Sequence, residues 1–364
     1  MDMSNSHKAT DEAGATGALT YAKSATSTTS TQVLSSMHQD YVHHVAFDIY
    51  GRRMVTCSGD RFVRVWDLTD TGEWNLVGEW QAHRGSVACV CWGHPEFGSL
   101  LATCGSDHEA KIWEERAAST TTSANTSINS RWASKAQLTE ARRAVTCLEF
   151  APRHWGLKLA TGSADGCVRI YEAVDVMNLA QWPLAATLTC FSEGNSSLGV
   201  TTLSWSTARF EPATLVVGGP HIAVYRYSES ARQWNCLFTL PPPEPKGLQH
   251  VLNVAWAPNV GRRFHYIASA EGQQLRIFKL SRGIAGSGND NGELERESTQ
   301  TLVKDVAPNN AWRCQWNVTG TVLASSGDRG VVQLWKSDFE GNFICVSKIQ
   351  GDLSQVAQPA GGGQ

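Results

Sequence analysis

Leu100-Leu101-Ala102-Thr103-Cys104-Gly105-Ser106-Asp107-His108-Glu109-Ala110-Lys111-Ile112-Trp113 is the stretch on which the fold turns. Two short apolar runs flank a Gly-Ser-Asp cluster, the pattern of a strand, a tight turn and a second strand. The run from Met54 through Thr56 and Asp60 to Trp66 repeats it: in both copies Asp follows Thr by four residues and Trp follows Asp by six. A histidine precedes each copy, His38 the first and His83 the second. A third copy carries Thr161, Asp165 and Tyr171, with Ala141 at the place of the histidine.

Outward from these copies the chain falls into units of roughly 45 to 60 residues. An aromatic residue closes an alternating apolar strand at Phe47, Trp92, Phe150, Trp205, Trp256 and Trp316. A second aromatic closes another at Trp66, Trp113, Tyr171, Tyr225, Phe278 and Trp335. Between the two lie apolar segments at 54–57, 100–104, 159–161, 215–217, 266–268 and 322–325. A fourth segment follows, opening on Trp74, Trp132, Trp182 and Trp234, and weaker at 300–303 and 343–349. Four strands repeated six times read as an all-β, six-bladed propeller. One four-stranded sheet exposes two apolar faces, and stacking the sheets around an axis buries them.

The 364 residues carry 31 Lys+Arg against 34 Asp+Glu, a net charge of −3. Without a cationic surplus, general nucleic-acid binding is not expected. Apolar runs fall far short of the roughly 20 residues that span a bilayer, so no membrane insertion is expected, and the N-terminus shows no secretory signal. Ten cysteines without a CxxC pair read as free thiols, and no Cys/His spacing suggests zinc. Residues 1–36, rich in Ser, Thr and Ala, read as a disordered tail, 37–350 as the propeller and 351–364 as a flexible tail. Residues 117–130 and 284–297 read as flexible loops.

A hydroxyl, a histidine and an aspartate invite a hydrolase reading. Their duplication argues otherwise. His38, Thr56, Asp60 and Trp66, and again His83, Thr103, Asp107 and Trp113, read as structural tetrads that tie loop to strand inside a blade. No catalytic, metal or cofactor residue is assigned, because no glycine-rich phosphate loop or metal-ligand cluster is found, and the chain is not expected to be an enzyme. His43 and His44 are strand neighbours on opposite faces and cannot chelate together. Arg52-Arg53 and Arg262-Arg263 would suit a phosphoinositide-binding propeller, but each follows a glycine in a strand-joining loop and the Phe-Arg-Arg-Gly order is missing. Trp113-Glu114-Glu115-Arg116 faintly resembles the docking motif of a ubiquitin-ligase substrate adaptor, although such residues after a strand are common on solvated surfaces.

The tetrads resemble those of WD-repeat propellers, with Trp66-Asp67 giving the literal dipeptide and Trp113-Glu114 and Tyr171-Glu172 near variants. Units four to six lose most of the tetrad. Long loops joining the first two strands, at 92–98, 151–156, 207–212 and 257–264, resemble those of two sibling scaffold propellers, one in the secretory vesicle coat and one in the nuclear pore. Three runs resemble the nuclear-pore sibling: Asp48-Ile49-Tyr50-Gly51-Arg52-Arg53, Tyr171-Glu172-Ala173 through Asp175-Val176-Met177-Asn178-Leu179, and residues 316–328. Over residues 38–350 the chain therefore resembles the WD-repeat nucleoporin family; the secretory-coat sibling is the alternative.

The resemblance implies a scaffold subunit of the Y-shaped nuclear pore subcomplex, at the nuclear envelope. Its partners would be an α-solenoid nucleoporin that donates a β-blade to an open propeller, and other subunits of that complex. It also implies a second assembly at the vacuole or lysosome surface that regulates the TOR kinase complex. The strand pattern is compatible with an open ring. It begins with an inner strand at Val42, ends with an outer strand near Ile349, and the run at 32–34 is too short to complete the last blade. Seam-facing residues are expected at Val45, Phe47 and Val65 in unit one and at Cys314, Trp316 and Leu334 in unit six.

Overall fold

The computed structural model describes residues 34–350 apart from 117–130, 192–198, 241–249, 273, 283–293, 303–310 and 328–329. The tails read at 1–36 and 351–364 thus lie almost wholly outside the described residues, as does the loop at 117–130. Blade 1 comprises β1 (Val42–Phe47), β2 (Arg53–Ser58), β3 (Phe62–Leu68) and β4 (Trp74–Gln81), and blade 2 β5 (Val87–Trp92), β6 (Leu100–Gly105), β7 (Ala110–Glu115) and β8 (Trp132–Leu138). Blade 3 comprises β9 (Val145–Phe150), β10 (Lys158–Ser163), β11 (Cys167–Glu172) and β12 (Leu184–Thr189), and blade 4 β13 (Thr202–Trp205), β14 (Thr214–Gly218), β15 (Ile222–Ser228) and β16 (Gln233–Leu240). Blade 5 comprises β17 (Asn253–Trp256), β18 (Phe264–Glu271), β19 (Gln274–Arg282) and β20 (Leu294–Thr301), and blade 6 β21 (Ala311–Trp316), β22 (Val322–Gly327), β23 (Val331–Ser337) and β24 (Phe343–Gln350). Each blade is an antiparallel sheet whose strands pair in sequence order, so each is closed by its own fourth strand.

Period-2 alternation of β-branched and aromatic residues makes these strands, and the two faces of each sheet need two neighbours. In five blades the pairing of the third and fourth strands slips beside the second aromatic, for example between Val65 and Trp66 and between Ile112 and Trp113. Such a bulge adds twist and turns the outer strand away from its inner neighbours. The first two strands of blades 2 and 3 are joined by a one-turn 3-10 helix, Pro95–Phe97 or Arg153–Trp155, ended by Gly98 (φ 92°) or Gly156 (φ 83°) in a conformation that favours glycine.

Buried clusters weld consecutive blades. Val55, Cys57, Val63 and Val65 of blade 1 meet Val90, Leu101 and Trp113 of blade 2. Comparable clusters join blades 2 and 3, 3 and 4, 4 and 5, and 5 and 6. The first aromatic of a blade also latches to its predecessor: Trp92 Nε1 donates to Ala46 O at 3.2 Å, Trp205 Nε1 to Glu149 O at 3.2 Å and Trp316 Nε1 to Ala255 O at 3.1 Å. All ten cysteines are unpaired, and five of them are buried in strands.

Two readings of the sequence shift. The fourth strand of blade 5 begins at Leu294 and overlaps the segment read as a loop to 297, because Leu294 is buried against the blade 4–5 core while charged and polar residues obscure the alternation. Trp182 lies two residues before β12, where its indole donates to Leu179 O at 2.9 Å and its ring joins the core between blades 2 and 3.

Candidate interaction sites

His83 stands in the loop before β5, Thr103 on β6, Asp107 in the turn to β7 and Trp113 on β7. Trp113 Nε1 donates to Thr103 Oγ1 at 2.9 Å, and Thr103 Oγ1 lies 2.8 Å from His83 Nε2. His83 Nδ1 lies 3.0 Å from both oxygens of Asp107. Since a carboxylate only accepts, Nδ1 carries the proton, Nε2 accepts from the hydroxyl, and every polar group in the chain is satisfied. Blade 1 repeats the arrangement, with Trp66 to Thr56 at 3.2 Å, Thr56 to His38 at 3.0 Å and His38 to Asp60 at 2.8 Å.

Burial pushes the Asp60 carboxyl up. Hydrogen bonds from the Phe62 N–H, His38 and the Gln39 N–H outweigh it and hold the group at about 2. Burial also pushes Asp107 up, and the hydrogen bond and charge of His83 with the Arg84 and Glu109 N–H groups bring it to about 2. Burial holds His38 below the usual histidine range, so it serves as a neutral donor. The hydroxyl of Thr103 is 0% exposed, out of reach of any substrate. His83, Asp107 and Glu109 bring potential metal-ligand atoms within 4.8 Å of one another. Yet both His83 nitrogens are engaged by Asp107 and Thr103, and Lys111 Nζ sits 3.3 Å from Glu109 as its counter-charge.

Blade 3 lacks the histidine, and its Tyr171 hydroxyl donates to Glu140 instead, at 2.9 Å. In blade 6 Trp335 Nε1 donates to Ser325 Oγ at 2.9 Å, a pair the sequence reading missed. Its signal was the spacing of ten residues shared with Thr56–Trp66 and Thr103–Trp113.

The paired arginines are clamps. Arg53 donates to Asp67 at 2.8 Å and reaches across to Glu115 of blade 2 at 2.7 and 3.1 Å. Arg262 donates to Gly320 O at 2.7 Å and Pro258 O at 2.6 Å, joining blades 5 and 6. Glu115 is therefore a half-buried tie between blades rather than a solvated rim residue.

The residues read as seam-facing divide. The strand face that blade 1 turns to blade 2 carries Val55, Cys57, Val63 and Val65, all fully buried. The same face of blade 6 carries Ala324, Ser326, Val332 and Leu334, all only half-buried. On the other side, β1 exposes Val45 (44%) and Phe47 (55%), at the register positions where β5 packs Val90 and Trp92 on blade 1. Among the described residues Val45 and Phe47 thus lie exposed and Leu334 lies on a half-buried face. Val65 does not, because alternation turns it into the blade 1–2 core. Nor do Cys314 and Trp316, which pack on blade 5 through Asn253, Ala255 and Tyr266. On blade 1 the exposure is confined to the inner strand: Met54 and Trp66 on the same face are buried.

Six sheets of this form, with indole–hydroxyl–imidazole–carboxylate chains in the first two, define a WD-repeat β-propeller protein. Residues 29–67, 74–114 and 133–172 match the family described as WD domain, G-beta repeat. Similarity to curated relatives extends over nearly the whole chain. It is 39% identical over 341 residues to Nucleoporin SEH1 of Danio rerio, covering 90% of this chain and 89% of that protein. It is 38% identical over 338 residues to Nucleoporin SEH1 of Homo sapiens, covering 89% of each. To the Xenopus tropicalis protein of that name it is 39% identical over 342 residues, covering 90% and 91%. The chain belongs to the Nucleoporin SEH1 family.

Proposed function

We propose that the protein is a non-catalytic scaffold subunit of the Y-shaped nuclear pore subcomplex at the nuclear envelope, supporting pore assembly and nucleocytoplasmic transport. Its relatives are named nucleoporins over the same span. The observation that carries the mechanism is the half-buried face of blade 6 together with the exposed Val45 and Phe47 of β1. Apolar surface of this kind is costly in water, and a blade-sized β-sheet from an α-solenoid nucleoporin would bury it. The tetrads serve the fold, since their hydroxyls are buried and their rings mutually satisfied. The propeller is taken to span 37–350, so a chain beginning near His38 folds as the full one does.

Affinity purification from cells, with identification of stoichiometric partners, tests the reading. Recovery of an α-solenoid nucleoporin with other Y-complex subunits is expected, and loss of the complex when the solenoid's N-terminal strands are deleted. Recovery of secretory-coat subunits instead would overturn it in favour of the coat sibling. The same purification shows whether the protein also enters a TOR-regulating assembly at the vacuole or lysosome. A ubiquitin-ligase adaptor role is disfavoured because Glu115 of the docking-like run is held by Arg53.

A further inference from the structure

Arg53 fills an aromatic wedge between blades 1 and 2. Its guanidinium stands 5.3 Å from the centre of the Trp92 ring and 5.8 Å from that of Trp132, held there by Asp67 and Glu115. Between blades 5 and 6 Arg262 is placed in the same way, 5.4 Å from Tyr266. The repeat carries the aromatic wall of the first wedge over to blades 3 and 4. Trp205 stands where Trp92 does, and Trp234 takes the place of Trp132, since Trp132 pairs with Glu115 and Trp234 with Tyr227, each two residues after the second aromatic. The arginine is missing. Lys158 occupies the place of Arg53, three residues before the threonine of β2 or β10, and is committed to Glu172 at 3.2 Å. Tyr227 occupies the place of Glu115.

Two further differences open the space. In blades 1 and 2 the Trp132 ring lies against Gly78, where a Cβ would come within 3.1 Å of it, and stacks on Trp80 at 5.5 Å. Register puts Ala186 and Leu188 at those two places on β12. The methyl of Ala186 denies Trp234 the same close approach, and Leu188 offers it no ring, so Trp234 is half-buried where Trp132 is buried. The result is a cavity of about 700 Å³ between β12 and β16. Its wall is continuous: ring centres are 5.8 Å apart from Trp155 to Trp205, 5.8 Å from Trp205 to Trp234 and 5.6 Å from Trp234 to Tyr227. Among the described residues no cation is stacked on any of these four rings, Arg232 of the β15–β16 turn included. Glu172, Glu211 and Glu229 also line the cavity. Glu172 holds Lys158 and Glu211 holds His265 at 3.1 Å, which leaves Glu229 at the rim. The negative faces of indole and phenol rings attract a cation, and a planar guanidinium stacks on them better than an ammonium does. The volume also admits backbone on either side of such a side chain.

We propose that the aromatic wedge between blades 3 and 4 binds an arginine side chain presented by an extended segment of a partner protein, in the place that Arg53 fills between blades 1 and 2. The site is independent of the seam and of the nuclear pore reading.

Isothermal titration of the full-length chain tests it with four probes: a capped alanine pentapeptide with arginine at its centre, its citrulline and lysine counterparts, and free arginine. Saturable binding of the arginine peptide is expected, at least tenfold tighter than the neutral citrulline peptide and at least threefold tighter than the lysine peptide or free arginine. Lys158→Arg with Tyr227→Glu rebuilds the blade 1–2 clamp from within the chain. It is expected to lower arginine-peptide affinity at least tenfold while leaving the thermal midpoint equal or higher, which separates an occupied site from a lost fold. Trp234→Leu, at a half-buried position, is expected to lower affinity at least tenfold without rebuilding anything. Equal affinity for the citrulline peptide would overturn the cation, equal affinity for the lysine peptide the guanidinium, and equal affinity for free arginine the peptide as its source. No saturable binding, or undiminished binding by either variant, would overturn the site.

Discussion

Replacing Thr103 with valine isolates the tetrad, because valine keeps the shape and the β propensity while removing one oxygen. That oxygen accepts from Trp113 Nε1 and donates to His83 Nε2, and all three residues are buried. Two polar groups lose their partner at once. At about 1–3 kcal/mol for each buried orphan, with relaxation of the indole discounted, the loss is about 2–4 kcal/mol. Thr103→Ser keeps the hydroxyl and removes a methyl, which costs about 1 kcal/mol. Guanidinium unfolding of the three chains, followed by tryptophan fluorescence, reads the difference as a lower midpoint at unchanged slope. If valine were tolerated as well as threonine, or serine cost as much as valine, the hydrogen-bond chain would not be what holds the blade 2 loop. A valine variant of native stability that had lost a hydrolytic activity would restore the enzyme reading.

Both tetrad carboxyls lie near 2 in the folded chain, below their unfolded value, so their stabilisation is present above about pH 4 and is lost as pH falls towards 2. Each contributes about 2 kcal/mol, and Asp107→Asn should flatten its share of that acid limb in unfolding measured across pH. Burial raises the Glu149 carboxyl to about 8 against the hydrogen bond from the Trp205 N–H, so its stabilisation is greatest below pH 4 and declines as pH rises through 8. Glu149→Gln should accordingly raise the thermal midpoint at pH 8 and leave it nearly unchanged at pH 4. Phe47→Glu should reduce self-association of the isolated chain by light scattering and abolish co-purification of the solenoid's N-terminal strands. Val260→Glu, at another exposed site, should do neither.

Local signals carried far in this chain. Alternation, paired aromatics and the Thr–Asp–Trp spacing are written in contiguous residues, and each strand is made by contacts with its sequence neighbours. That is why the six blades and the tetrads of blades 1 and 2 could be read without coordinates. The start of the fourth strand of blade 5, read only from 300, escaped because it is an outer strand, anchored by the buried Leu294 and otherwise largely polar, with little alternation to detect. Facing was a different matter. Alternation says that Val65 and Arg64 point opposite ways, but not which of them meets another blade. Only the stacking of one sheet on the next turned Val65, Cys314 and Trp316 inward and left Val45 and Phe47 exposed and Leu334 half-buried. Blade number and repeat chemistry were determined by the sequence itself, because each unit encodes its own sheet. Which faces stay open was decided by the tertiary structure, because exposure depends on residues a whole blade away in the chain.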